Sequence, residues 1–147
     1  MIIISPWAKT LLTNKPNPKS PPIIWWYELI NLISEPIIQI GLEHEKQLVS
    51  DFRANLSIPQ LCELLSECRT FVTIDSFLQH LAWDQNKPGI VIWGQSNPKI
   101  YGHDLHTNLL KDSQYLMKNQ FLMWEMVDYR EDCFITPKEV IVHLNRE

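Results

Sequence analysis

The sequence predicts an α/β fold, a parallel, doubly wound sheet with helices on both faces, and three observations carry that prediction. Short apolar runs recur at Ile2–Ile4, Ile37–Gly41, Thr70–Ile74 and Gly89–Gly94, each cut off by a proline, a glycine or a polar pair. Between them lie segments with helical apolar spacing, so strand and helix alternate as in βαβ units. At 147 residues the chain is the size of one ordinary domain.

Taken in order, the β-branched run Ile2–Ile4 reads as a buried strand ended by the Pro6 turn. The stretch "KTLLTNKPNPKSPP", Lys9 to Pro22, is rich in proline, asparagine and lysine and is expected as a surface loop. From Trp25 to Ser34, Trp26, Leu29, Ile30 and Ile33 form the i, i+3, i+4, i+7 stripe of an amphipathic helix, which Pro36 ends. Ile37–Gly41 is a strand, and "EHEKQLVSDF", Glu43 to Phe52, is expected as a short helix entered by acidic residues. Ser57 is placed to cap a helix with Pro59 in its first turn and Leu61, Leu64 and Leu65 on its apolar face. Thr70–Ile74 follows as a strand, Ser76–Gln85 as a helix and Gly89–Gly94 as a strand. Beyond it, Gln95–Asp104 reads as a loop, Gln114–Val127 as helical, and Thr136 as the cap of a last helix from Pro137 through Leu144.

Composition narrows the function. The net charge is −4 with lysine and arginine scattered, so no basic stripe offers phosphates a continuous track, and nucleic acid is not an expected partner. The apolar "MIII" is too short for a signal peptide or a membrane span, which places the protein in the cytoplasm by expectation. Three cysteines without a CxxC or a histidine cluster argue against both a disulfide framework and a metal site. No cofactor is expected, and neither GxGxxG nor GxxxxGK[ST] occurs. Most of the six tryptophans fall in apolar segments, where core packing accounts for them.

In open parallel sheets ligands bind outside the carboxyl ends of the strands, where helix N-termini favour anions. The residues to inspect are therefore Ser5–Lys9, Gly41–Glu45, Asp75–Ser76 and Gly94–Pro98. In "TIDSFLQHLAW", Asp75 and Ser76 stand where strand becomes helix, and His80 lies one turn in. Two readings stand side by side: a capped helix with a half-buried histidine on a backbone carbonyl, or an anion or nucleotide site.

The segments "IQIGLEHE", "IPQLCELLSECRTFVTIDSFLQHLAW" and "KPGIVIWGQSNPKIYGH" resemble, in that order, the carboxyl-terminal half of the ADP-heptose:lipopolysaccharide heptosyltransferase family. The resemblance runs from "IIISPWAKT" to the last helix. It implies a single Rossmann-like domain over residues 1–147, the donor half of a glycosyltransferase B fold, with a nucleotide or nucleotide sugar such as ADP-heptose as ligand. It implies that Lys19 contacts donor phosphate or sugar, that Glu45 bonds the ribose, that Asp75, Ser76 and His80 adjoin the sugar and diphosphate, and that Gly94 and Ser96 belong to a loop over the donor. Phe77 departs from the pattern, since the family usually has glycine there and glycine admits a diphosphate close to the backbone.

The resemblance covers only a donor half, and inverting transfer needs a base against an acceptor hydroxyl. The chain is thus expected to act with a separate acceptor-binding subunit or as a homodimer. The alternatives are a non-catalytic nucleotide-binding module and an interaction protein that keeps the fold. The segment Tyr115–Tyr129, rich in methionine and aromatic residues, is either core or a surface for such a partner.

Overall fold

The computed structural model describes residues 1–147. Six strands form one parallel sheet: β1 (Ile2–Ser5), β2 (Ile37–Gly41), β3 (Phe52–Ala54), β4 (Thr70–Ile74), β5 (Ile90–Trp93) and β6 (Thr107–Leu110). Their spatial order is β3-β2-β1-β4-β5-β6, with every neighbouring pair parallel. The direction of winding reverses between β1 and β4, which makes their carboxyl ends the switch point of the sheet.

Side chains alternate across the pleat, so β1 serves two cores at once. Ile2 and Ile4 join Val72, Ile74, Ile90 and Ile92 under α1 (Ile23–Leu32) and α5 (Pro137–Leu144), which contribute Trp25, Trp26, Leu29, Val140 and Leu144. Ile3 joins Ile38, Phe71 and Val91 under α2 (Ile58–Glu67) and α3 (Phe77–Asp84), which contribute Leu64, Leu65, Leu78 and Leu81. Helices thus cover both faces, as the alternation predicts. None is long and apolar enough to cross a membrane.

Local chemistry fixes the helix starts. Ser57 and Gln60 form a reciprocal capping box at α2, and Thr136 and Glu139 form another at α5. Helix α1 begins at Ile23, two residues before the expected Trp25, with Pro22 preceding it.

Two expected helices are absent. Glu43–Phe52 is a loop running into β3, because the buried Gln39 side chain donates to the Lys46 carbonyl at 2.8 Å and accepts from the Leu48 amide at 2.6 Å. Gln47 also donates to the Val49 carbonyl, so side chains take the backbone groups that a helix would use. Gln114–Val127 holds only 3₁₀ turns at Ser113–Tyr115 and Trp124–Met126. Here the Gln120 amide donates to the Gln95 and Met117 carbonyls and accepts from the Asn97 amide, pinning the segment to the turn after β5. The core reading of this segment fails as well, since Phe121 is 82 % exposed and Met126 is 69 % exposed.

The edge strands β3 and β6 escape sequence reading because neither is an unbroken apolar run: Phe52–Ala54 carries a charge at its centre and Thr107–Leu110 opens on two polar residues. Within the expected loop after β5, Pro98–Tyr101 makes one helical turn, α4, capped by Asn97.

Candidate functional site

A cleft of about 910 Å³ opens over the carboxyl ends of β1, β2 and β4. That volume lies within the range of small-molecule sites. Its walls include Ser5, Trp7, Lys19, Gly41, Glu45, Asp75, Ser76, Phe77 and Trp124. Three of the four segments marked for inspection meet there. Gly94–Pro98 does not, because β5 lies on the far side of β4 from the switch point.

Lys19 arrives on the long loop between β1 and α1, which is fastened along its length. Asn17 accepts from the Lys19 amide and donates to the Lys9 carbonyl, while Ser20 accepts from the Ala8 amide and gives its own carbonyl to Tyr129. Lys19 Nζ consequently stands 3.1 Å from Asp75 Oδ2 and 5.2 Å from the centre of the Trp124 ring. Asp75 is 6 % exposed, and its other oxygen accepts from Gln79 Nε2 at 2.8 Å. A buried carboxylate is stable only with such partners, so Lys19 and Gln79 offset its burial and fix its orientation.

Ser76 occupies the cap position of α3, yet its hydroxyl makes no capping bond. It lies 3.2 Å from the Thr73 hydroxyl, and Thr73 in turn donates to the Ser5 carbonyl at 3.1 Å. No side chain caps the first amides of α3, and this helix N-terminus adjoins the cleft beside Phe77. Phe77 is 57 % exposed and forms part of the cleft wall.

Glu45 sits across the cleft, its carboxylate accepting from the Leu42 amide. Burial pushes its carboxyl above the usual carboxylate range, against the opposing pull of that amide. Gly41 makes the placement feasible: a Cβ there would come within 2.6 Å of Glu45 Oε1 and turn the carboxylate away.

Three sequence-marked residues lie outside the cleft lining. His80 Nδ1 is 2.8 Å from His103 Nε2, and His103 stacks on Trp83 with ring centres 4.6 Å apart. The two imidazole centres are 5.0 Å apart, so the facing nitrogens lie almost on the line between the rings. That is the geometry of an N–H···N bond, not of two ligands turned toward one ion. Gly94 lies beneath Phe134 and Cys133, where a Cβ would meet the ring at 2.7 Å, and Ser96 is 2 % exposed.

His106 shows why this flank titrates. Its Nε2 faces the Gln79 carbonyl at 2.7 Å, which can only accept, so the proton is on Nε2 and the buried Nδ1 is bare. Burial holds the imidazoles of His80 and His106 below their ordinary range, and His103 beside them adds to the effect. The unfolded chain therefore binds more protons just below pH ~6.5, and stability rises with pH through that window before levelling. The midpoint of urea unfolding is expected to increase between pH 5.5 and 7.5, and His106→Gln is expected to flatten the rise. A midpoint that does not rise over this window in wild type would show that neither ring resists protonation.

Sequence reading missed Gln79 and Trp124. A glutamine inside an apolar helix carries no motif, and Trp124 reaches Lys19 from more than a hundred residues away along the chain.

Strand order, parallel pairing and a cleft at the switch point define a doubly wound α/β domain of the Rossmann type. The profile of glycosyltransferase family 9 (heptosyltransferase) matches residues 35–131, and the chain belongs to that family. Among solved structures it is similar to the ADP-heptose LPS heptosyltransferase II of E. coli, with TM-score 0.67 and 21% identity over 99% of this chain and 45% of that one. It is likewise similar to E. coli heptosyltransferase WaaC, solved with ADP, with TM-score 0.65 and 15% identity over 98% of this chain and 43% of that one. Both likenesses establish the fold. The chain spans less than half the length of either structure. No curated protein matches the sequence.

Proposed function

We propose that the cleft holds the nucleotide-sugar donor of a glycosyltransferase, with Lys19, Glu45, Asp75 and Ser76 as its polar contacts. The observation that carries this reading is the convergence of these four residues, from three separate places in the sequence, on one cleft at the switch point. The chemistry suits a nucleoside diphosphate sugar. Lys19 and the uncapped amides of α3 offer donors to phosphate, Glu45 offers an acceptor to ribose hydroxyls, and Trp7, Ile40 and Leu56 supply apolar wall. The WaaC structure was solved with ADP, which supports a nucleotide as the class of ligand.

His80, Gly94 and Ser96 take supporting places in this reading. His80 bonds His103 on the outer side of α3, and Gly94 and Ser96 sit in the packed turn after β5. Transfer itself needs a base against an acceptor hydroxyl, which we assign to a partner half, either a separate subunit or a second copy of the chain in the cytoplasm.

Thermal melting with ADP, UDP, GDP and their sugar conjugates tests the reading. A ligand at a hundred times its Kd adds about 2.7 kcal/mol, which for a chain of this size raises Tm by roughly 5–10 °C. Absence of a shift with every nucleotide at millimolar concentration would leave the cleft without this role.

A further inference from the structure

A second cavity, of about 410 Å³, opens beside the loop between β1 and α1, and we propose that it binds an oxyanion, a phosphate or carboxylate group, independently of the nucleotide cleft. Trp7, Lys9, Asn17 and Glu45 line both cavities, so the two adjoin. Lys15, Ser20, Ile23, Lys46 and Tyr129 belong to the second cavity alone, while Lys19 and Asp75 belong only to the first.

The second cavity collects donors that have no acceptor in the protein. Ser20 is 7 % exposed; its hydroxyl oxygen accepts from the Ala8 amide at 3.1 Å, and its own proton meets no acceptor. A buried hydroxyl proton left unmatched costs free energy that an acceptor on a ligand restores. The Ile23 amide, the first of α1, is likewise unmatched, and no side chain caps this helix. Among the lysines only Lys19 is ion-paired, so Lys9, Lys15 and Lys46 bring three uncommitted charges to the cavity. Two of them are held through their backbones: Asn17 Nδ2 donates to the Lys9 carbonyl at 2.9 Å, and the Lys46 carbonyl accepts from Trp7 Nε1 at 2.9 Å and Gln39 Nε2 at 2.8 Å. His44 and two carboxylates, Glu45 and Glu131, complete the ionisable lining, and Glu45 already accepts from the Leu42 amide. The lysines outnumber the carboxylates, and the spare protons of Ser20 and Ile23 require lone pairs. An oxyanion supplies both the charge and the lone pairs.

Inorganic phosphate is the probe. Titrated into the whole chain at constant ionic strength, it is expected to raise Tm saturably at millimolar concentration, with an affinity that saturating ADP changes by less than about twofold. Lys15→Gln and Lys46→Gln, both at exposed positions, should each weaken phosphate about threefold. Ser20→Ala should weaken it about tenfold, the loss of a hydrogen bond to a charged group. Circular dichroism melting without ligand shows whether Ser20→Ala folds, and the lysine variants decide the matter if it does not. Absence of a saturable shift, or lysine variants that bind phosphate as tightly as wild type, would overturn the proposal. So would a shift abolished by ADP, which would place the phosphate in the nucleotide cleft. If no nucleotide binds, the nucleotide-sugar reading fails alone, and phosphate titration of the variants still decides this one.

Discussion

Asp75→Ala is expected to lower stability by about 2–4 kcal/mol and to weaken nucleotide-sugar binding by at least about tenfold. The carboxylate joins Lys19 Nζ at 3.1 Å to Gln79 Nε2 at 2.8 Å. Alanine leaves the Gln79 amide, itself fully buried, with no partner on either end, since Oε1 already has none. It also leaves Lys19 as a lone, mostly covered cation beside Trp124. Asp75→Asn separates the two consequences. Its side-chain oxygen can still accept from Gln79, so roughly half of the stability should return, while Lys19 loses its counter-charge. Urea unfolding measures the first effect and calorimetry the second. An alanine variant as stable as wild type would mean that the Lys19–Asp75–Gln79 chain does not exist in solution.

The second large effect lies away from the cleft. Trp93→Ala is expected to cost about 3–5 kcal/mol, the range for deleting a fully buried aromatic side chain, and to lower Tm by about 10 °C or more. Trp93 ends β5 with no exposed surface, packs among Phe71, Leu78 and Val91, and donates from its indole to Asn108 Oδ1 at 2.9 Å. Asn108 in turn donates to the His103 carbonyl, so one indole ties β6 to the turn that carries the His80 partner. Trp93→Phe keeps most of the burial and loses the hydrogen bond, for about 1–2 kcal/mol. Similar losses in the two variants would make the indole bond, not the buried volume, the dominant contribution.

How much of this could be read from the sequence divides along physical lines. The central strands were legible because a strand buried on both faces must be apolar throughout, as "III" and "GIVIWG" are. The caps Ser57 and Thr136 were legible because capping is local chemistry. Glu43–Phe52 was misread as a helix because the group that prevents it, the buried Gln39 side chain, comes from a neighbouring strand. A capped helix was one of the two readings of "TIDSFLQHLAW", and Ser76 makes no capping bond, its hydroxyl lying against that of Thr73 three residues earlier. In the cleft, Lys19, Glu45, Asp75 and Ser76 were found by position and resemblance, while Gln79 and Trp124 emerged only when the chain was folded. Both act through side chains whose partners depend on the fold.

The pairing of β1 with β4 places Ser5 opposite Thr73. That single register lays the Thr73 hydroxyl on the Ser5 carbonyl, and the same hydroxyl meets that of Ser76 at the cleft wall. Loops above the sheet can lengthen, shorten or exchange residues without disturbing this contact, whereas a one-residue slip of the pairing would turn Thr73 to the opposite face and break it. The seating of Ser76 is therefore anchored in the sheet's innermost seam, beneath the exposed loops around the cleft.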